Sequence, residues 1–214
     1  MARPVSVQDT VILEAARKVF LKHGFKATTA QVAREAGVSE GSLFKHFKTK
    51  TALFLTAMQV EGLQMPWHDE LLDAVGSGDI RARLESAGRQ LLQRLQVIVP
   101  RMMMMQSSGL LSQADCHRFV KAPPPVYHVR VLARYLRAEI KLGRLALRDP
   151  ESQAHAFFGA LSHYVFSETL FGYRPAAPTA YVRAVVDTLV RAGTPATGGA
   201  GRRDAASAKT AKDA

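Results

Sequence analysis

Residues 28–47 read TTAQVAREAGVSEGSLFKHF, and this stretch decides the fold. Thr28 or Thr29 can accept a hydrogen bond from a free backbone N–H and so open a short helix, whose apolar side is Val32, Ala33 and Ala36. Gly37 can adopt the left-handed conformation that ends a helix, Val38 fills the corner, and Ser39 caps the next helix. Leu43 and Phe47 are four residues apart, share a face and can anchor that second helix. Glu40, Gly41, Ser42, Lys45 and His46 are left pointing outward, with Gly41 small enough for close approach of a phosphate or base edge. Two helices so joined form a helix-turn-helix unit. Its second helix enters the major groove of DNA, the only groove that presents a distinct donor and acceptor pattern for every base pair. A plain helical hairpin inside an all-α protein would also end its helices at glycine, but here cap, corner and anchors all agree.

The flanking residues extend this unit. Ile12, Ala15, Ala16, Val19, Phe20 and His23 recur at the spacing of an amphipathic helix, which Ser6 and Asp9 can open as a capping box and Gly24 closes. Three helices make a minimal core. Thr49 can cap a fourth helix whose first residue is Lys50, a cation at the end where the helix dipole disfavours one; a phosphate at that point would account for it.

The 31 residues GFKATTAQVAREAGVSEGSLFKHFKTKTALF (24–54) resemble the DNA-binding domain of TetR/AcrR-family transcriptional regulators, over residues 7–60. The resemblance implies that Thr29, Ser39, Gly41, Ser42, Phe44, His46 and Lys50 lie at or near DNA; with Thr28, Glu40 and Lys45 they form the candidate interface. Phe44 stands where the family usually has a tyrosine whose hydroxyl contacts a phosphate. The stretch from Gly24 to Val32 is one residue shorter than in many members, so Thr28 and Thr29 remain alternative caps. Ala52 replaces a frequent glutamate, leaving the fourth helix without a full capping box.

Composition agrees with this reading. The 214 residues carry a net charge of +11, with nine Lys and Arg against four Asp and Glu in residues 1–50. Such a balance favours polyanions and predicts an affinity that falls with salt; Arg3 can act as a minor-groove arm. No apolar run is long enough to span a membrane and no signal-peptide pattern opens the chain, so a cytoplasmic protein is expected. Cys116 is the only cysteine, which excludes an internal disulfide. There is no GxxxxGK phosphate loop, no HExxH and no Cys and His set at metal spacing; neither an enzyme nor a cofactor or metal site is expected.

Beyond Lys50 the apolar residues keep helical periods. The fourth helix uses Leu53, Phe54, Ala57, Met58 and Val60 and ends before Pro66; a fifth runs from Asp79 to a stop at Pro100, and residues 102–111 form a shorter one. After Pro123, Pro124 and Pro125 comes another through Val129, Leu132, Tyr135, Leu136 and Ile140. Asp149 and Pro150 open a long helix to about residue 171, apolar on more than one side, and Pro178 to Ala192 offers a similar stripe. Two such helices from each of two subunits would make a four-helix homodimer interface. The segment GRLALRDPESQAHAFFGALSHYVF (143–166) resembles the family's dimerisation region, more loosely than the front end does.

The expected architecture is all-α: a helix-turn-helix DNA-binding domain (1–50), a larger helical effector-binding and dimerisation domain (51–192), and a disordered basic tail (193–214). The resemblance implies a small-molecule pocket in the larger domain. Met58, Met65, Trp67, Met102, Met103, Met104, Met105, Tyr127, Phe158 and Tyr164 can line a mostly apolar cavity, with His128, His155 and His163 as polar contacts. Double-stranded DNA, a small effector and a second copy of the chain are the expected partners; methionines at helical positions also serve as ordinary core filling.

Overall fold

The computed structural model describes residues 7–59, 65–110 and 124–193, all helical or in turns with no strand among them. Among the described residues nine helices follow one another: α1 (Val7–His23), α2 (Thr29–Ala36), α3 (Glu40–His46), α4 (Lys50–Met58), α5 (Pro66–Asp73), α6 (Ile80–Ser107), α7 (Pro124–Lys141), α8 (Pro150–Phe171) and α9 (Pro178–Ala192). Ser6, Val60, Arg3, Cys116 and residues 194–214, which carried expectations, lie outside the described residues.

Apolar periodicity partitions these helices between two cores. In the front core, Ile12, Ala16 and Phe20 of α1 meet Val32 and Ala33 of α2, Leu43 of α3, and Leu53, Phe54, Ala57 and Met58 of α4. Phe20 and Phe25 both meet Phe54 edge-on, with centroids 5.1 and 5.0 Å apart. In the rear core, α6, α7, α8 and α9 bring together Leu84, Leu91, Leu132, Tyr135, Phe157, Leu161, Val182 and Val186, while Trp67 and Leu71 of α5 close one side. The helix α4 buries its face in the front core although most of it lies beyond residue 50.

The helix α6 connects the two. Its first five turns belong to the rear core, and its C-terminal end packs Met104 and Met105 against the front one, touching α1 and α4. This corrects the expected stop at Pro100: the helix continues through proline to Ser107, so 102–105 are not a separate helix. Proline removes one ladder bond and crowds the preceding turn. Buried Ile98 and Val99 on one side and the packed methionines on the other hold the helical path despite that loss.

The helix α5 had no counterpart in the expectations. Pro66 begins a helix at its first position, where its missing N–H costs nothing, rather than merely following the end of another. A buried carboxylate then stitches the α5–α6 turn to α7. Glu139 is fully buried, accepts the Gly76 N–H at 3.1 Å, and lies 3.3 Å from the Arg144 guanidinium, which in turn donates to the Gly78 carbonyl.

Candidate nucleic-acid interface

The turn between α2 and α3 is built as its residues dictate. Thr28 is the cap: its hydroxyl accepts the Gln31 N–H at 3.2 Å, and Gln31 Oε1 accepts the Thr28 N–H at 2.8 Å, a closed capping box. Gly37 takes the left-handed conformation at φ 68°, and the Val38 N–H reaches back to the Ala33 carbonyl at 3.0 Å. Ser39 then caps α3 by accepting the Ser42 N–H at 3.1 Å. Leu43 is fully buried and Phe47 packs partly against the same core, so the inner side of α3 is fixed.

Thr29 is the first residue of α2, and its hydroxyl donates to Glu40 Oε1 at 2.6 Å, tying α2 to the first turn of α3. Glu40 is therefore an internal acceptor. Gly41 is exposed, and a Cβ added there would meet nothing nearer than Ser39 Oγ at 3.9 Å. Nothing inside the chain requires glycine at this helical position, where it weakens the helix. Phe44 is 42% exposed, a large apolar ring on the outside of α3, and Lys45 is exposed beside it; Ser42 is half-buried.

His46 departs from the outward placement expected of it. Its Nδ1–H donates to Asp9 Oδ1 at 2.5 Å, and both side chains are largely buried against α1. The helical pitch of α3 alone suggests exposure; a carboxylate 37 residues earlier takes the ring instead. Asp9 is thus the partner of α3 as well as a residue of the first turn of α1. Lys50 opens α4 behind the Thr49 cap, whose hydroxyl accepts the Ala52 N–H at 3.0 Å, and its ammonium sits 4.5 Å from the Phe25 ring centroid. That cation–π contact holds the charge at the N-terminus of α4 and was invisible in local spacing.

No G-x-S-x-G motif was expected, yet residues 37–41, GVSEG, do spell that of a hydrolase nucleophile elbow. The structure removes that chemistry. Ser39 lies between two helices rather than at a strand-to-helix turn, and its oxygen serves as a helix cap.

The residues expected to line one effector cavity are divided. Met58 is fully buried in the front core and Met105 packs against it, because α4 and the end of α6 converge there; neither reaches the rear core. Met102 is 44% exposed on α6. Met65, Trp67, Tyr127 and Phe158 do come together, around a pair of histidines. Tyr164 is buried further along α8 against Tyr181, its hydroxyl donating to the Ala176 carbonyl at 3.0 Å, while His155 and His163 are exposed.

In the histidine pair, His68 Nδ1 accepts the Met65 N–H at 3.0 Å, so neutral His68 carries its proton on Nε2 and donates it to His128 Nδ1 at 2.9 Å. Both rings are buried. Burial pushes the His68 imidazole below its ordinary range against the opposing pull of Asp69; burial, then His68 and Arg94, push His128 down to about 4. Both are neutral at pH 7. The Trp67 ring packs edge-on against His68, and its buried Nε1–H has no hydrogen-bond partner. Trp67 also backs a pocket of about 340 Å³ between α5 and the start of α6, lined further by Glu70, Leu71, Asp79, Arg83 and Ser86. Sequence reasoning passed over His68; its place three residues after Met65, where a side chain returns to the cap N–H, was the available signal.

Among the described residues no helix is long and apolar enough to cross a membrane. The surface of α8 and the residues after it expose Phe166, Leu170, Phe171 and Tyr173, with Phe171 80% exposed.

Comparison with known proteins assigns both halves. Residues 12–57 match the family of bacterial regulatory proteins described as tetR, and residues 116–193 match the C-terminal domain of AefR-like transcriptional repressors. Among curated relatives, the chain is 45% identical over 49 residues to the HTH-type transcriptional regulator YerO of Bacillus subtilis, covering 22% of this chain and 17% of that one. It is 37% identical over 60 residues to the HTH-type transcriptional regulator QacR of Staphylococcus aureus, covering 28% and 31%. The chain thus spans no more than a third of the length of these relatives. A solved TetR-family structure from Mesorhizobium loti shares the fold with a TM-score of 0.62 at 16% identity, over 90% of this chain and 99% of the other.

Proposed function

We propose, for a chain that belongs to the TetR family of bacterial transcriptional regulators, that it binds a near-palindromic operator as a homodimer and releases it when a small, mostly apolar effector occupies the rear core. Proteins of this family are DNA-binding regulators rather than enzymes. The observation that carries the reading is the contrast between the two sides of α3. Its inner side is anchored by Leu43 and the Thr29–Glu40 bond, whereas its outer side offers Gly41, Phe44 and Lys45 to a partner outside the chain. Thr28, Ser39 and His46 position this helix from behind, while Ser42 and Lys50 contribute at its margin.

The exposed apolar face of α8, with α9 beside it, supports a twofold pairing that would set two reading helices one DNA turn or a multiple apart. The cluster of Met65, Trp67, His68, Tyr127, His128 and Phe158, with the pocket that Trp67 backs between α5 and α6, supports an effector site: apolar side chains beside a few convergent polar atoms. An effector preferring the form with separated reading heads would lower DNA affinity by the difference between its affinities for the two states, with repression as the mode in the absence of ligand. Selection of bound fragments from random DNA by the full-length protein tests the reading. Two symmetric half-sites at a fixed spacing are expected, and recovery of no common sequence would overturn it.

A further inference from the structure

Four consecutive methionines, Met102 to Met105, occupy the last two turns of α6, more than half of the seven in the chain. The structure gives neighbouring members of the run to different bodies. Met103 packs partly buried against the rear core, while Met104 and Met105 pack partly buried against the front core. Met102 is 44% exposed. A single helical turn therefore joins the two cores through thioethers. Pro100 lies just before it and donates no backbone hydrogen bond, which weakens the preceding turn of α6.

Leucine would fill such seams with equal apolar area and better-defined rotamers. Methionine differs in its chemistry: its sulfur is oxidised to a sulfoxide, which turns a flexible apolar side chain into a polar one, and reductases reverse the change. We propose that Met102, Met103, Met104 and Met105 are a modification site for hydroperoxides, and that their oxidation uncouples the end of α6 from the front core and weakens operator binding. In the step, the thioether sulfur attacks the terminal oxygen of the hydroperoxide, and an S–O bond forms as the O–O bond breaks. The proton of the transferred oxygen passes to the departing oxygen, which leaves as water from hydrogen peroxide or as an alcohol from an organic hydroperoxide. Sulfur is oxidised by two electrons and the peroxide is reduced by two.

Met102 is reached first, being exposed, and Met103, Met104 and Met105, which are only partly buried, follow. A sulfoxide at Met104 or Met105 places a strong acceptor against the apolar side chains of the front core, where a polar group is costly. The front core answers by releasing α6. Met58 is fully buried and serves as the internal control.

This inference rests on the DNA-binding reading, and the experiment separates the two. The full-length protein, natural and with Cys116→Ser, is treated with hydrogen peroxide; sulfoxides are located by peptide mass spectrometry, and affinity for the selected operator is measured by fluorescence anisotropy. Failure of the untreated protein to bind any DNA would refute the operator reading alone, because hydrogen exchange still reports the junction. Oxidation is expected at residues 102–105 ahead of Met58, with faster exchange in α1, α4 and residues 101–107 and unchanged exchange in α8. Affinity should fall about fivefold or more, and methionine sulfoxide reductase should restore it. The combined M102L, M103L, M104L and M105L variant should bind as the natural protein does and ignore the reagent. The proposal is overturned by sulfoxides at 102–105 with unchanged exchange and affinity, by a leucine variant equally sensitive to peroxide, or by a run that resists oxidation while the chain remains folded.

Discussion

Gly41→Ala should move folding stability and DNA affinity in opposite directions. In the free protein the new methyl group has room, since its nearest neighbour would be Ser39 Oγ at 3.9 Å, and residue 41 has no positive φ. Alanine in a helix is favoured over glycine by about 0.5–1 kcal/mol. For a chain of this length that corresponds to a rise in Tm of about 1–4 °C. If α3 lies in the major groove with its backbone against DNA at this point, the same methyl occupies space the duplex needs. A loss of about tenfold in operator affinity, equivalent to about 1.4 kcal/mol, is the expected size. Calorimetry gives the first quantity, and anisotropy titration at fixed salt gives the second. Gly41→Leu extends the series, because its larger side chain should abolish specific binding while leaving the protein folded. Wild-type affinity in both variants, with stability raised as expected, would show that residue 41 faces water and that α3 is not the reading element.

Lys50→Met should weaken binding to all sequences alike and make the salt dependence shallower by about one unit of log–log slope, measured by titration at several salt concentrations; an unchanged slope would remove Lys50 from the phosphate contacts. His128 has a native pKa of about 4 against an ordinary 6.5, so the unfolded chain binds the extra proton first and stability falls as pH drops from about 6.5 towards 4. Between pH 7 and pH 5 this amounts to about 2 kcal/mol, with His68 acting in the same direction; urea denaturation at both pH values should show the loss, and His128→Phe should reduce it. Phe171→Glu combined with Leu170→Glu should yield monomers by sedimentation without lowering the helical content, because both side chains are exposed in the single chain; a dimer of unchanged strength would place the interface elsewhere.

The parts of this molecule that were legible in the sequence are those whose cause is local. Asp149 and Pro150 announce α8 because a cap and a first-turn proline act within three residues, and the carboxylate does accept the Glu151 and Ser152 N–H groups. Thr28, Gly37 and Ser39 define the turn for the same reason. Local rules failed where distant residues decide. Pro100 looked like a terminator, yet apolar contacts on both sides of it outweigh one lost ladder bond. His46 looked solvent-facing by pitch, yet Asp9 captures it from another helix. Met58 and Met105 looked like ligand contacts by composition, although composition carries no information on which of two cores a side chain enters. Pro66 could have been read as the start of α5 by the logic that found α8; the helix is only eight residues long and offers little periodicity to support it.

The burial of Glu139 restricts how this chain can change. Its carboxylate has no access to water and keeps its charge compensated through Arg144 and the Gly76 N–H. Losing the guanidinium alone would strand an uncompensated anion in the interior, whereas replacing acid and base together by apolar groups removes both demands at once. A path that begins at Arg144 must therefore cross a poorly folding intermediate, whereas one that begins at Glu139 leaves a partly exposed guanidinium still bonded to the Gly78 carbonyl. The seam between the α5–α6 turn and α7 thus tolerates change in one order, acid before base.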